Sequence, residues 1–173
     1  MSAIVLIGPP GAGKTTVGRE LARALGLEFL DTDQMVEARL GRPVAEIFTG
    51  LGEAAFRAAE QAAVTEALAR AEQAGLVLSV GGGAPLTPAI FEALRTGPLV
   101  VFLDVSAALA LKRVGLNHAR PLLAASPRKI LRQLMDARRP TYEALADVTV
   151  KIDGLAPAGV AGEIARLVMA NER

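Results

Sequence analysis

The chain of 173 residues contains no cysteine and a single histidine, His118. The first absence excludes disulfides and thiolate metal centres, and the second excludes a histidine-rich metal cluster. A formal net charge of +1 provides no long-range field to draw in a polyanion, so nucleic acid is not an expected partner and any anion must be recognised locally. No uninterrupted apolar run approaches the roughly 18 residues that a membrane-spanning helix needs. Met1-Ser2 leads straight into an apolar stretch with neither a basic region nor a cleavage site, so a soluble, cytoplasmic protein without a membrane partner is expected. With 51% hydrophobic and 21% charged residues, the chain has the composition of a folded protein long enough to bury a substantial core.

Against these absences, one stretch is rich in chemistry. Gly8-Pro9-Pro10-Gly11-Ala12-Gly13-Lys14-Thr15 follows the apolar run Ala3-Ile4-Val5-Leu6-Ile7 and opens an amphipathic segment from Thr16. It is a complete G-x-x-x-x-G-K-T phosphate loop in the context that the motif requires, a strand before and a helix after. The glycines let backbone N–H groups curl around a phosphate without a Cβ in the way, and the helix adds its unpaired N-terminal donors. Lys14 suits the β- and γ-phosphates as a flexible point charge, and the Thr15 hydroxyl suits Mg²⁺.

Downstream, strand-like and helix-like segments alternate. After a helix stopped by Gly26, residues 28–31 read as a second strand, 34–40 and 44–48 as short helices, and 53–74 as one long alanine-rich helix. Strands are expected at 76–80, 99–103 and 148–152, with helices near 88–94, 107–113 and 127–145 and a last one ending near residue 169. The alternation implies a parallel sheet with helices on both faces, and ligands outside the carboxyl ends of its strands. The segments leaving those ends are Gly8 to Thr15, Asp31-Thr32-Asp33, Gly81-Gly82-Gly83 and Asp104 onward.

The phosphate loop is shared by switches, motors and kinases, and other residues must choose among them. No N-K-x-D base-reading motif is present, and Leu103-Asp104 is followed by Val105 rather than by a glutamate that could position water. Phosphoryl transfer to a bound hydroxyl therefore reads better than hydrolysis. Asp31 and Asp33, two apart in an extended segment, would point the same way, one toward a metal and one toward an acceptor hydroxyl. The same pair also suits a helix N-cap. Arg57 lies between Glu53 and Glu60 at helical spacing, either as an anion ligand or as part of a solvated salt-bridge face. His118 reads as an exposed loop residue.

Gly8 to Thr15, Leu30-Asp31-Thr32-Asp33, Phe56-Arg57, Gly81-Gly82-Gly83, Arg120-Pro121-Leu122-Leu123 and Arg138-Arg139-Pro140-Thr141-Tyr142, in this order and spacing, resemble shikimate kinase over nearly the whole chain. The resemblance implies a three-layer α/β P-loop fold, with a five-stranded parallel sheet in the order 2-3-1-4-5 and helices on both faces. It implies one kinase domain over 1–173, with a substrate-binding region at about 33–60 and a lid at about 115–126. The implied activity is transfer of the γ-phosphate of ATP to the 3-hydroxyl of shikimate, on the route to chorismate and the aromatic amino acids. Catalytic roles then fall on Asp33 as base, Lys14 and Arg120. Nucleotide contacts fall on Gly11, Ala12, Gly13, Lys14, Thr15, Thr16, Arg113 and Arg120, and shikimate contacts on Asp33, Arg57, Gly81, Gly82, Gly83 and Arg138. Mg²⁺ would be held through Thr15 and Asp31. A gluconate kinase of the same fold, or a nucleotide-binding regulatory module, are the competing readings. Shikimate and ATP are the expected partners of a monomer. The loop 153–157 is short and carries no basic residue to meet the adenine.

Overall fold

The computed structural model describes residues 3–115 and 126–171. Within them the chain runs β1 (Ala3–Ile7), α1 (Lys14–Leu25), β2 (Glu28–Asp31), α2 (Thr32–Leu40), α3 (Val44–Gly50) and α4 (Glu53–Ala74). It continues through β3 (Leu76–Ser79), a 3₁₀ turn (Ala84–Leu86), α5 (Pro88–Thr96), β4 (Leu99–Asp104), α6 (Ala107–Gly115), α7 (Pro127–Leu145), β5 (Val148–Lys151) and α8 (Pro157–Asn171). The five strands form one parallel sheet in the order β2-β3-β1-β4-β5. No helix among the described residues is long and apolar enough to cross a membrane.

β1 is central, paired with β3 through Val5 and Leu78 and with β4 through Val5 and Val100. All five of its residues are buried, because a strand covered by helices on both faces has no solvent side. Side chains alternate across it. Ile4 and Leu6 join Val77, Val101 and Leu103 in a core shared with α1 and α8. Ala3, Val5 and Ile7 join Leu76, Leu78, Val100 and Phe102 in a second core shared with α4 and α5. Each of the larger β1 side chains contributes about 1.5–3 kcal/mol by burial.

Helix α7 belongs to both cores. Its Leu131 and Met135 pack in the first, its Tyr142 and Leu145 in the second. The helix therefore passes over the carboxyl end of the sheet, and Arg138 and Arg139 lie at the crossing. Successive helical residues point about 100° apart, so the two arginines diverge. Arg139 turns to Asp104 at the end of β4, with Nη2 2.6 Å from Oδ1, and lies over the Phe102 ring at 5.5 Å. A third, smaller core of Val36, Ile47, Phe56 and Ala63 ties α2, α3 and α4 together beside the sheet.

One local expectation changes. The segment after β2 is not extended, since α2 starts at Thr32 rather than Gln34. Asp31 Oδ1 accepts hydrogen bonds from the N–H of Asp33 at 2.9 Å and of Gln34 at 3.3 Å, an N-cap that draws Asp33 into the first helical turn. Asp31 and Asp33 still meet one cavity, but through a capped turn rather than through strand alternation. The proposed lid falls almost wholly on 116–125, so Arg120 and His118 lie outside the described residues.

Candidate active site

The phosphate loop is wedged between strand and helix ends that leave no room for side chains. Gly11 has φ 82°, and a Cβ there would lie 2.8 Å from the Ala110 carbonyl of α6; one on Gly8 would lie 2.9 Å from the Leu103 carbonyl of β4. Gly13, at φ 79°, turns the chain into α1, whose first N–H groups open onto a cavity of about 380 Å³. Lys14 Nζ donates to the carbonyls of Gly8 at 2.8 Å and Pro9 at 3.1 Å, lying across the mouth of the loop. The Thr15 hydroxyl donates to Asp31 Oδ2 at 2.6 Å. Asp31 thus has one oxygen on the phosphate loop and the other on α2, so its capping role and its place beside a phosphate site are compatible.

The cavity's other side is the turn that leaves β3. The N–H of Gly81 donates to Thr32 Oγ1 at 3.1 Å, which fixes the turn against α2. Four charged side chains crowd the three glycines. A Cβ on Gly81 would lie 2.7 Å from Glu60 Oε1 and 3.1 Å from Asp33 Oδ1; one on Gly82 would lie 3.2 Å from Arg138 Nη1; one on Gly83 would lie 2.7 Å from Arg57 Nη2. The glycines are there because cations and carboxylates fill the space that side chains would take.

Arg57 is not on a solvated salt-bridge face. Its Nη1 donates to Glu60 Oε2 at 2.8 Å, and Glu60 is only 1% exposed, whereas Glu53, 3.7 Å from Nε, faces solvent. Burial pushes the Glu60 carboxyl up from its ordinary pKa and Asp33 adds to that, while the Arg57 guanidinium works against it. Glu60 Oε1 has no hydrogen-bond partner among the described residues. Phe56 and Phe48 stack at 4.5 Å beside this pair.

Arg113 bridges two regions. Its Nη1 donates to the Gly11 carbonyl at 3.0 Å, and it lines both the main cavity and a neighbouring cleft of about 210 Å³. The cleft is mostly apolar, with Val17, Ile152, Leu155, Pro157 and Val160 on its walls. Next to Ile152, the Asp153 carboxylate accepts from the N–H of Ser106 at 2.8 Å and from the Ser106 hydroxyl, contacts that hold its pKa down. The Ser106 hydroxyl in turn accepts from the N–H of Leu109 at 3.2 Å, capping α6. A flat aromatic base fits such a slot between a guanidinium and aliphatic walls.

The family model for shikimate kinase matches residues 10–169. A shikimate kinase of Salinispora arenicola is 52% identical over 166 residues, covering 96% of this chain and 97% of that protein. The chain belongs to the shikimate kinase family. Among solved shikimate kinases, that of Acinetobacter baumannii in complex with shikimate matches with a TM-score of 0.91 at 38% identity, over 99% of this chain and 95% of that one. The Aquifex aeolicus shikimate kinase matches at 0.81 and 32% identity, over 98% of each chain. The strand order implied by the resemblance is the order observed.

The structure thus gathers Lys14, Thr15, Asp31, Asp33, Arg57, Arg138, Arg113 and the three glycines around one edge of this shikimate kinase family fold. It also brings in groups that sequence reasoning missed. Glu60 was legible as a neighbour of Arg57, but nothing in the sequence said that it is buried. Thr32 and Tyr142 gave no signal beyond their place in motifs, Ile152 read only as the end of a strand, Leu155 as part of a short loop near the adenine, and Val160 carried no signal of its own.

Proposed function

We infer that this chain transfers the γ-phosphate of ATP to the 3-hydroxyl of shikimate, giving shikimate 3-phosphate and ADP. The observation that carries the reading is the convergence of the phosphate loop, Asp33 and two guanidiniums on the single Gly81-Gly82-Gly83 turn. A small acid bearing hydroxyls needs this combination: guanidiniums for its carboxylate, a carboxylate for its hydroxyls, and a polyphosphate cradle alongside.

In this reading the α1 N-terminus and the loop N–H groups hold the β- and γ-phosphates, and Lys14 exchanges its bonds to Gly8 and Pro9 for phosphate oxygens. Arg57 and Arg138 grip the carboxylate from two sides of the glycine turn. Asp33 accepts the proton of the acceptor hydroxyl as its oxygen bonds to the γ-phosphorus and the bond to the bridging oxygen of ADP breaks. The hydroxyl of Thr15 and the carboxylate of Asp31, 2.6 Å apart at the loop, are hard oxygen donors of the kind that Mg²⁺ takes alongside phosphates and water. When bound, the ion would neutralise charge on the phosphoryl group in flight. Arg120 completes the proposal as a cation brought onto the transferring phosphate when 115–126 closes. A monomer and a cytoplasmic setting belong to the same proposal.

A coupled assay of ADP release tests the reading with shikimate, with gluconate and without acceptor. Release that requires shikimate, with phosphate found on its 3-hydroxyl, is the expected result. Preference for gluconate, or equal release without acceptor, would overturn it.

A further inference from the structure

The grip on the carboxylate uses two arginines that are held in different ways. Arg57 is held by the buried carboxylate of Glu60. Arg138 stands instead one helical turn before Tyr142 on α7, and both residues reach the same glycine, Gly82. Tyr142 is 1% exposed, and its ring packs on Phe102 with centroids 5.2 Å apart. Its hydroxyl donates to the carbonyl of Gly82 at 2.7 Å. Gly82 is the same residue that Arg138 approaches, with Nη1 3.2 Å from where a Cβ would stand.

The phenol oxygen thus has two faces. Its proton goes to Gly82, which satisfies the one donor that a buried tyrosine must place. Its lone pairs remain to accept, and the nearby cation that reaches the same glycine is Arg138; burial raises the hydroxyl's pKa, while Arg138 works against that rise. A tyrosine needed only to pack its ring on Phe102 in the second core would serve as well without this oxygen.

We propose that Tyr142 is a positioning residue for substrate binding, its hydroxyl joining Arg138 to the Gly82 carbonyl so that the guanidinium and the glycine turn keep one geometry. The inference rests on the reading of Arg138 as a carboxylate ligand. With the hydroxyl gone, the Gly82 carbonyl loses a buried partner and the guanidinium can rotate on its long side chain, at a cost felt when the substrate acid must be met by both arginines.

The test is a double-mutant cycle on the full chain with Tyr142→Phe, Arg138→Ala and the pair, measuring kcat and both KM values. Phenylalanine keeps the ring on Phe102, and thermal unfolding of each variant identifies any that is not folded at the assay temperature. Tyr142→Phe should raise KM for shikimate about tenfold, with KM for ATP and kcat within about twofold of wild type. In the Arg138→Ala background the same change should have no further effect. Additive penalties, equal rises in both KM values, or an unchanged KM for shikimate in Tyr142→Phe would overturn the role of Tyr142 while leaving the carboxylate site in place. An Arg138→Ala protein with wild-type KM for shikimate would overturn the site reading and this inference together. Should Tyr142→Phe not fold, Arg138→Lys offers the second arm. Lysine lacks the planar fork that can serve phenol and carboxylate at once, so KM for shikimate should rise severalfold while KM for ATP holds; a wild-type KM there overturns the proposal.

Discussion

Adding one methyl group at Gly83 should weaken shikimate binding without touching the nucleotide. Gly83 has φ −92°, a conformation open to any L residue, so alanine brings no backbone strain. Its Cβ, however, would stand 2.7 Å from Arg57 Nη2 and 2.9 Å from Nη1. The guanidinium must retreat by roughly 0.7 Å to restore ordinary contact. Because it is the far end of a flexible side chain, the fold should absorb the move with a loss of about 1 kcal/mol or less. The carboxylate contact cannot absorb it so easily. A bidentate charged hydrogen bond is worth about 1.5–3 kcal/mol, and a shift of that size, coupled to the Glu60 pair at 2.8 Å, forfeits most of it. Gly83→Ala should therefore raise KM for shikimate by about 10- to 100-fold with KM for ATP within twofold. Gly82→Ala is the contrast. Its Cβ meets Arg138 Nη1 at 3.2 Å and also the Gly8 carbonyl and Pro10 Cδ at 3.3 Å, so it presses on the phosphate loop and should raise both KM values. Steady-state kinetics with each substrate varied in turn, beside a thermal melt, decides the matter. A Gly83→Ala protein that binds shikimate normally, or one that loses both substrates equally, would refute the placement of Arg57 against the substrate carboxylate.

Other expectations are tested in the same assay. Lys14→Ala should lower kcat by about 10²–10³-fold in a protein that still melts normally, and Asp33→Asn should do so by about 10²–10⁴-fold; near-normal kcat in the latter would show that Asp33 is not the base. Because the Glu60 pKa is raised, that carboxyl protonates at a higher pH than an ordinary one and then ceases to hold Arg57 by charge. KM for shikimate should accordingly climb on the acid side from above the usual carboxylate range, and Glu60→Gln should replace that climb with a uniformly high KM. Stability runs the other way, since a folded-state pKa above the unfolded one gives a contribution complete below the unfolded pKa and lost as pH rises through the folded value. Urea titrations should therefore show a flatter pH profile for Glu60→Gln in that window. Arg120→Ala should lower kcat by about 10²-fold or more with little change in ADP binding, and a kcat within a few-fold of wild type would remove Arg120 from the mechanism.

How far each part of this site could be read from the sequence depends on how local its physics is. The phosphate loop was legible as a motif, because Gly8 to Thr15 are eight consecutive residues with their strand and helix on either side, although the Leu103 carbonyl that crowds Gly8 and the Asp31 carboxylate that meets Thr15 come from elsewhere in the chain. The apolar runs of β1 and β4 marked buried parallel strands for the same reason. Asp31 shows where local reading starts to divide: capping and metal-side roles looked like rivals because each was weighed as the use of a whole carboxylate, whereas the two oxygens serve separate partners. Arg57 with Glu60 was legible as a contact and illegible in character. Helical spacing gave the ion pair, but its burial depends on Gly81 and Gly83, more than twenty residues away, having no side chains to displace it. The tandem Arg138 and Arg139 carry the lesson furthest. Helical spacing alone makes them equivalent cations, and only the resemblance singled out Arg138; the course of α7 over the sheet's carboxyl edge sends Arg139 to Asp104 as a brace and leaves Arg138 at the glycine turn. A residue's chemistry was therefore readable from local spacing wherever its partners were neighbours in the chain, and only the resemblance pointed to its role wherever the deciding partner was a backbone carbonyl or a missing Cβ supplied by another strand end.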